Sequence, residues 1–144
     1  MSEGYDAIFD SENWREIQSI NLDGVFWMMK YGAPECAKGG NGVIIPVSSL
    51  AAWKAEGSAA YTATKGAMIS LSRSAALEAI PYGVRVNCVC PGATDTPIFW
   101  EGETDPAKRQ KLLDQVKIEK PIGRLITTDE VANGIIFLAS DDAS

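Results

Sequence analysis

The sequence predicts an α/β fold, part of a doubly wound parallel sheet with helices packed on it. Two apolar runs carry this reading: Val43-Ile44-Ile45-Pro46-Val47, and Val84 to Cys90. Strands that are apolar on both faces suit a sheet covered on both sides. A long helical stretch separates the two runs, and a strand–helix–strand unit joins parallel strands by a right-handed crossover. The third observation is that only two such runs occur. A two-stranded parallel sheet leaves two open edges, so the remaining strands of the sheet are expected outside these 144 residues.

Each element follows from local chemistry. Residues 1–10 read as a loop. Asp10-Ser11 offers an N-cap to a helix with apolar Trp14, Ile17 and Ile20, which continues to about Ala37. Asn21 and Gly24 are mediocre helix formers and predict a local kink. Trp14 is expected in the core. Lys38 to Gly42 is a turn cluster. The first strand follows, and Pro46 is awkward in it because proline removes a ladder donor. A loop through Trp53-Lys54-Ala55-Glu56-Gly57 leads to a long helix over about Ala59 to Ile80, rich in small residues that permit close helix packing. Pro81-Tyr82-Gly83 ends it, and the second strand runs to Cys90. Pro91-Gly92 breaks that strand. A variable loop contains a small helix near Asp105-Pro106, where proline suits the first helical position. Thr127-Thr128-Asp129-Glu130 is a capping box that opens a last helix through Ile135, Ile136 and Leu138.

Composition excludes several functions. Net charge is −6 without a basic cluster, which argues against nucleic acid as a partner. The chain has no histidine, which excludes Ser-His-Asp hydrolysis and His-ligated zinc. Its three cysteines, Cys36, Cys88 and Cys90, show no C-x-x-C spacing, so neither a disulfide framework nor a zinc ribbon is expected. Cys88 and Cys90 read as small buried hydrophobes on one face of a strand. The first residues lack the basic and apolar regions of a signal peptide, and no apolar stretch approaches the ~20 residues of a membrane span. The expected location is the cytoplasm.

The residues that point to chemistry are Tyr61-Thr62-Ala63-Thr64-Lys65, with Ser48-Ser49 upstream at the end of the apolar run. Four residues is about one helical turn, so Tyr61 and Lys65 share a face. A free tyrosine titrates at about 10 and is no base at neutral pH. A fixed ammonium one turn away favours the phenolate and suits the pair to general acid–base catalysis. A nearby serine hydroxyl can hold a substrate oxygen.

Taken in order, I-N-L-D-G-V-F, V-S-S-L-A-A, A-A-Y-T-A-T-K-G-A, V-R-V-N-C-V-C-P-G-A-T-D-T-P and P-I-G-R-L-I-T-T-D-E-V-A resemble the motifs of the short-chain dehydrogenase/reductase family over nearly the whole chain. The resemblance implies a Rossmann-like fold and an NAD- or NADP-dependent oxidoreductase that interconverts a carbonyl and an alcohol. It implies Tyr61 as the acid/base and Lys65 as the group that lowers its pKa, both also holding the nicotinamide ribose. It implies Ser49 as the residue that polarises the carbonyl, and Asn21 as the holder of a relay water. Pro91, Gly92, Thr94 and Thr96 would line the nicotinamide side. Ser48 restores the family's usual spacing to Tyr61, whereas the strand end favours Ser49, so both serines stay open. The family's glycine-rich turn and first strands are expected to be absent, leaving 1–144 as a single partial domain with 95–121 as the substrate-loop region. NAD and NADP are not distinguished. A small-molecule alcohol or carbonyl is the expected substrate, and a homo-oligomer, dimer or tetramer, the expected state. The alternative is a truncated, non-catalytic chain that acts only by oligomerising.

Overall fold

The computed structural model describes residues 9–144. The loop expected over 1–10 lies outside the described residues up to residue 8.

Helix α1 (Ser11–Gln18) starts at the expected cap: the Asp10 carboxylate accepts the backbone N–H groups of Glu12 at 2.9 Å and Asn13 at 3.3 Å. It runs on through a widened π turn, Ser19–Asp23, into α2 (Gly24–Lys38). The irregularity expected at Asn21 and Gly24 is therefore an extra residue within one continuous helix. Such turns often accompany functional positions. Trp14 is 42 % exposed, which corrects its assignment to the core.

Strand β1 (Gly42–Ile44) pairs in parallel with β2 (Val84–Val86), with Gly42 opposite Val84 and Ile44 opposite Val86. Both are shorter than the apolar runs, and Pro46 is the reason. The Ile44 carbonyl accepts from Asn87 N–H, the Pro46 carbonyl from Val89 N–H, and the Val89 carbonyl from Ser48 N–H. This alternation leaves the Asn87 carbonyl for a donor at residue 46, and proline has none. The chains nevertheless stay aligned, with a further parallel bridge at Val47 and Val89.

Helix α4 (Ala59–Ala79) follows the one-turn helix α3 (Ala51–Lys54), which occupies part of the expected loop and ends at Ala55 in a left-handed conformation. α4 buries Ala60, Thr64, Met68 and Ser72, a stripe at four-residue spacing. Two hydroxyls of this stripe are satisfied within the helix: Thr64 donates to the Tyr61 carbonyl at 2.9 Å and Ser72 to that of Met68 at 2.7 Å. Along β2, Val84 and Val86 are buried, while Arg85 between them takes the opposite face. Its guanidinium donates to the carbonyls of Leu138, Ser140 and Ala143. That ties β2 to the end of α7 (Thr128–Ala139), whose capping box between Thr127 and Glu130 forms as expected. Helices α5 (Pro97–Trp100) and α6 (Pro106–Glu119) fill the loop region. α6 spans 14 residues and is longer than the small helix the sequence suggested.

Gly83 joins α4 to β2 at φ +71°, and a Cβ there would strike the Gly40 backbone. Gly83→Ala is expected to cost about 1–3 kcal/mol through left-handed strain and this clash. Thermal or urea unfolding of the variant against the parent checks it.

Candidate active site

Three chain segments build the site. The first is the continuation of β1. Alternation along an extended chain sends successive side chains opposite ways, and Ser48 and Ser49 show the result. Ser48 is buried and donates to the Lys65 carbonyl at 2.7 Å. Ser49 faces an open cleft, its hydroxyl accepting the Ala51 N–H at 3.1 Å.

The second segment is the start of α4. Ser58 caps it by accepting the Tyr61 N–H at 3.2 Å. Tyr61 lines the same cleft as Ser49. Lys65 lies one turn on, with Nζ 5.6 Å from the Tyr61 ring centroid. The ammonium donates to the Val47 carbonyl at 3.0 Å, which fixes it between helix and strand. Burial pulls the Lys65 pKa below the ordinary lysine value, and the nearby thiols of Cys88 and Cys90 partly oppose that. Both thiols are free and only partly buried, which corrects their reading as small buried hydrophobes. Burial pushes the Cys88 thiol up, which keeps it protonated and inert.

The third segment follows β2. The Pro91 carbonyl accepts the Leu50 N–H at 2.8 Å, and Pro91, Gly92 and Ala93 line the cleft. Thr94 donates to the Gly92 carbonyl at 3.0 Å and Thr96 to that of Thr94 at 3.3 Å. Phe99 of α5 and Leu112 and Val116 of α6 supply an apolar wall. Lys120 Nζ bonds both Glu56 carboxylate oxygens at 2.8 Å, joining the end of α6 to the loop before α4. The cavity holds about 340 Å³.

The structure thus brings Ser49, Tyr61, Pro91 and Gly92 to one cleft, with Lys65 against the tyrosine ring. Thr94 and Thr96 lie just past its lining. Asn21, carried by the π turn, donates from its amide to Thr64 Oγ1 at 3.4 Å, next to Lys65 in sequence but without a bond to it. Neither Trp53 nor Trp100 lines the cleft. Trp100 donates to the Asp95 carboxylate at 2.8 Å, under the Arg109 guanidinium. Glu56, Gln115 and Lys120 escaped the sequence reading as a group, since nothing local links positions 64 residues apart. A larger apolar cavity of about 680 Å³ lies between α2 and α4 but contains none of Ser49, Tyr61 or Lys65. Two hydroxyls on one cleft can hold one oxygen atom, and a phenol beside an ammonium can exchange a proton.

Residues 4–144 match the family described as enoyl-(acyl carrier protein) reductase. This chain belongs to the short-chain dehydrogenase/reductase family. The 2,5-dichloro-2,5-cyclohexadiene-1,4-diol dehydrogenase of Sphingobium indicum is 41 % identical over 92 % of this chain and 51 % of its own length. The cis-4-hydroxycyclohexanecarboxylate dehydrogenase of Sinomonas cyclohexanicum is 38 % identical, covering 94 % of this chain and 52 % of its own. Among solved structures, NAD+-bound xylitol dehydrogenase superposes with a TM-score of 0.78 at 29 % identity, over 92 % of this chain and 55 % of that one. The chain therefore spans about half the length of these family members. The likeness bears out the Rossmann-like α/β fold. Among the described residues no group of histidine, cysteine, aspartate and glutamate could hold a metal ion, and no helix is long and apolar enough to cross a membrane.

The Lys65 ammonium is expected to lose its proton below 10.5, the ordinary lysine value, in an NMR titration of lysine side chains. Between the lowered folded value and that of the unfolded chain, the unfolded state binds the extra proton. The Lys65 contribution to stability therefore rises with pH across that window, and Lys65→Met should remove this rise.

Proposed function

We propose that this chain carries the catalytic part of a nicotinamide-dependent oxidoreductase that interconverts an alcohol and a carbonyl. The observation that carries the reading is the shared cleft of Ser49 and Tyr61 with the Lys65 ammonium held against the phenol ring. Ser49 holds the substrate oxygen, because its hydroxyl faces the cleft whereas that of Ser48 is turned into α4. Tyr61 gives or takes the proton of that oxygen. Lys65 favours the phenolate, and its bond to Val47 keeps it in place while leaving N–H groups for a ribose hydroxyl. Asn21 sits close enough to α4 to order a water leading from Lys65 to solvent.

These residues fit the nicotinamide and ribose end of NAD or NADP. The donor set is one of hydroxyls and an ammonium, and Thr94 and Thr96 donate their own protons to backbone carbonyls, which leaves their oxygens free to accept a carboxamide N–H. The bound nicotinamide would supply the hydride or accept it. The glycine-rich turn that cradles a diphosphate follows the first strand of such a fold, and neither of the two described strands is followed by one.

The cleft volume is at the small end for ligand sites. Together with its apolar wall, and with relatives named for alcohols on six-membered rings, this supports a compact ring alcohol or ketone as substrate. Tyr61→Phe should lower kcat by roughly 10²–10⁴-fold while leaving NADH and NADPH binding, read by nicotinamide fluorescence, unchanged. Retained turnover would remove Tyr61 from the chemistry.

A second feature supports self-association. Met28 and Tyr31 on α2 and Leu77 on α4 are each more than two thirds exposed, at 76 %, 68 % and 78 %. Apolar surface of this kind marks interaction faces, and a homo-oligomer, dimer or tetramer, would cover it. Sedimentation velocity is expected to show association that Leu77→Glu weakens; a strictly monomeric parent protein would rule it out.

A further inference from the structure

We propose that Glu56 sets the charge preference of the cleft. By pairing with Lys120 it favours neutral ring alcohols and rejects those that carry a carboxylate. The inference rests on the oxidoreductase reading above and names the substrate class that site takes.

Lys120 is the one basic side chain among the described residues that line the cleft. It follows α6 directly, and its side chain is only 15 % exposed. Both Glu56 oxygens hold its Nζ at 2.8 Å. Glu119 lines the same cleft and makes no ion pair among the described residues. The lining therefore carries two carboxylates and one ammonium, a net charge of −1. Lys65 keeps its charge but is not part of this lining: its ammonium is held on the Val47 carbonyl behind the Tyr61 ring, apart from the Glu56–Lys120 pair.

A substrate carboxylate entering here meets a cation already neutralised and a second carboxylate with no partner. Glu56 is 46 % exposed and Glu119 is exposed as well, so the entering group gives up only part of its hydration, yet it gains no free counterion. A neutral ring loses nothing of that kind and packs on Phe99, Leu112 and Val116. Discrimination thus comes from a repulsive element as well as from apolar fit. Removing the Glu56 charge frees Lys120 to hold a carboxylate.

The test compares kcat/KM for cyclohexanol and for 4-hydroxycyclohexanecarboxylate. The parent should prefer cyclohexanol. Glu56→Gln and Glu56→Ala should each move the ratio toward the carboxylate by roughly tenfold or more, and adding Lys120→Met should reverse that gain. Equal changes for both substrates, or a parent that prefers the carboxylate, would overturn the proposal.

Binding of cyclohexanecarboxylate, followed by ligand-observed NMR, needs no turnover. Its Kd should fall by roughly tenfold in the Glu56 variants and return in the double variant. If no protein turns over either alcohol, the oxidoreductase reading fails while this binding result still decides the role of Glu56. Equal binding to all variants overturns it.

Discussion

Helix α4 lies on β2 through a stripe one side chain wide, and the phase of that stripe determines the site. Ala60, Thr64, Met68 and Ser72 are buried because four-residue spacing keeps them on one side of the helix. Tyr61 and Lys65 each follow a buried position by one residue, so both are turned about 100° away from the sheet. That rotation leaves Tyr61 at the edge of the packed layer, where it meets open space, and lets the long Lys65 stem bend back to the Val47 carbonyl. Larger side chains in the stripe would lift α4 from the strands and break this contact. The abundance of alanine, serine and threonine in the helix is therefore a condition for the lysine's position as much as for packing.

The strands meet a second constraint at Pro46. Losing one ladder hydrogen bond shortens the regular sheet, yet the backbones remain in parallel alignment through Ser48 and Leu50. Extended alternation then separates two neighbouring serines by function. One closes the interior by bonding the Lys65 carbonyl, and the other opens onto the cleft. Burial acts on electrostatics as well. Partial desolvation lowers the Lys65 pKa, and the same burial raises that of the Cys88 thiol beside it, so the ammonium is the main local charge beside the phenol.

The wall of the cleft has a different origin. It comes from α5 and α6, which lie beyond the strand–helix–strand unit and reach it through apolar contacts and the Glu56–Lys120 pair. A fold that carries one part of a cleft on the strand–helix–strand unit and another on a separate segment can change one without disturbing the other. In this chain that division runs between Ser49 and Tyr61 on one side of the cleft and Phe99 to Lys120 on the other.

By itself the sequence determined the parallel strand–helix–strand unit, the Asp10 and Thr127 caps, the common face of Tyr61 and Lys65, and the family. All of these depend on spacings shorter than two helical turns or on motif order, and helix and strand periods convert such spacings directly into geometry. Tertiary structure decided which serine faces the cleft, where the Asn21 amide points, that Trp14 stays exposed, and that Glu56 meets Lys120. Those contacts join positions up to 64 residues apart. They depend on how finished elements pack, and no local period encodes that.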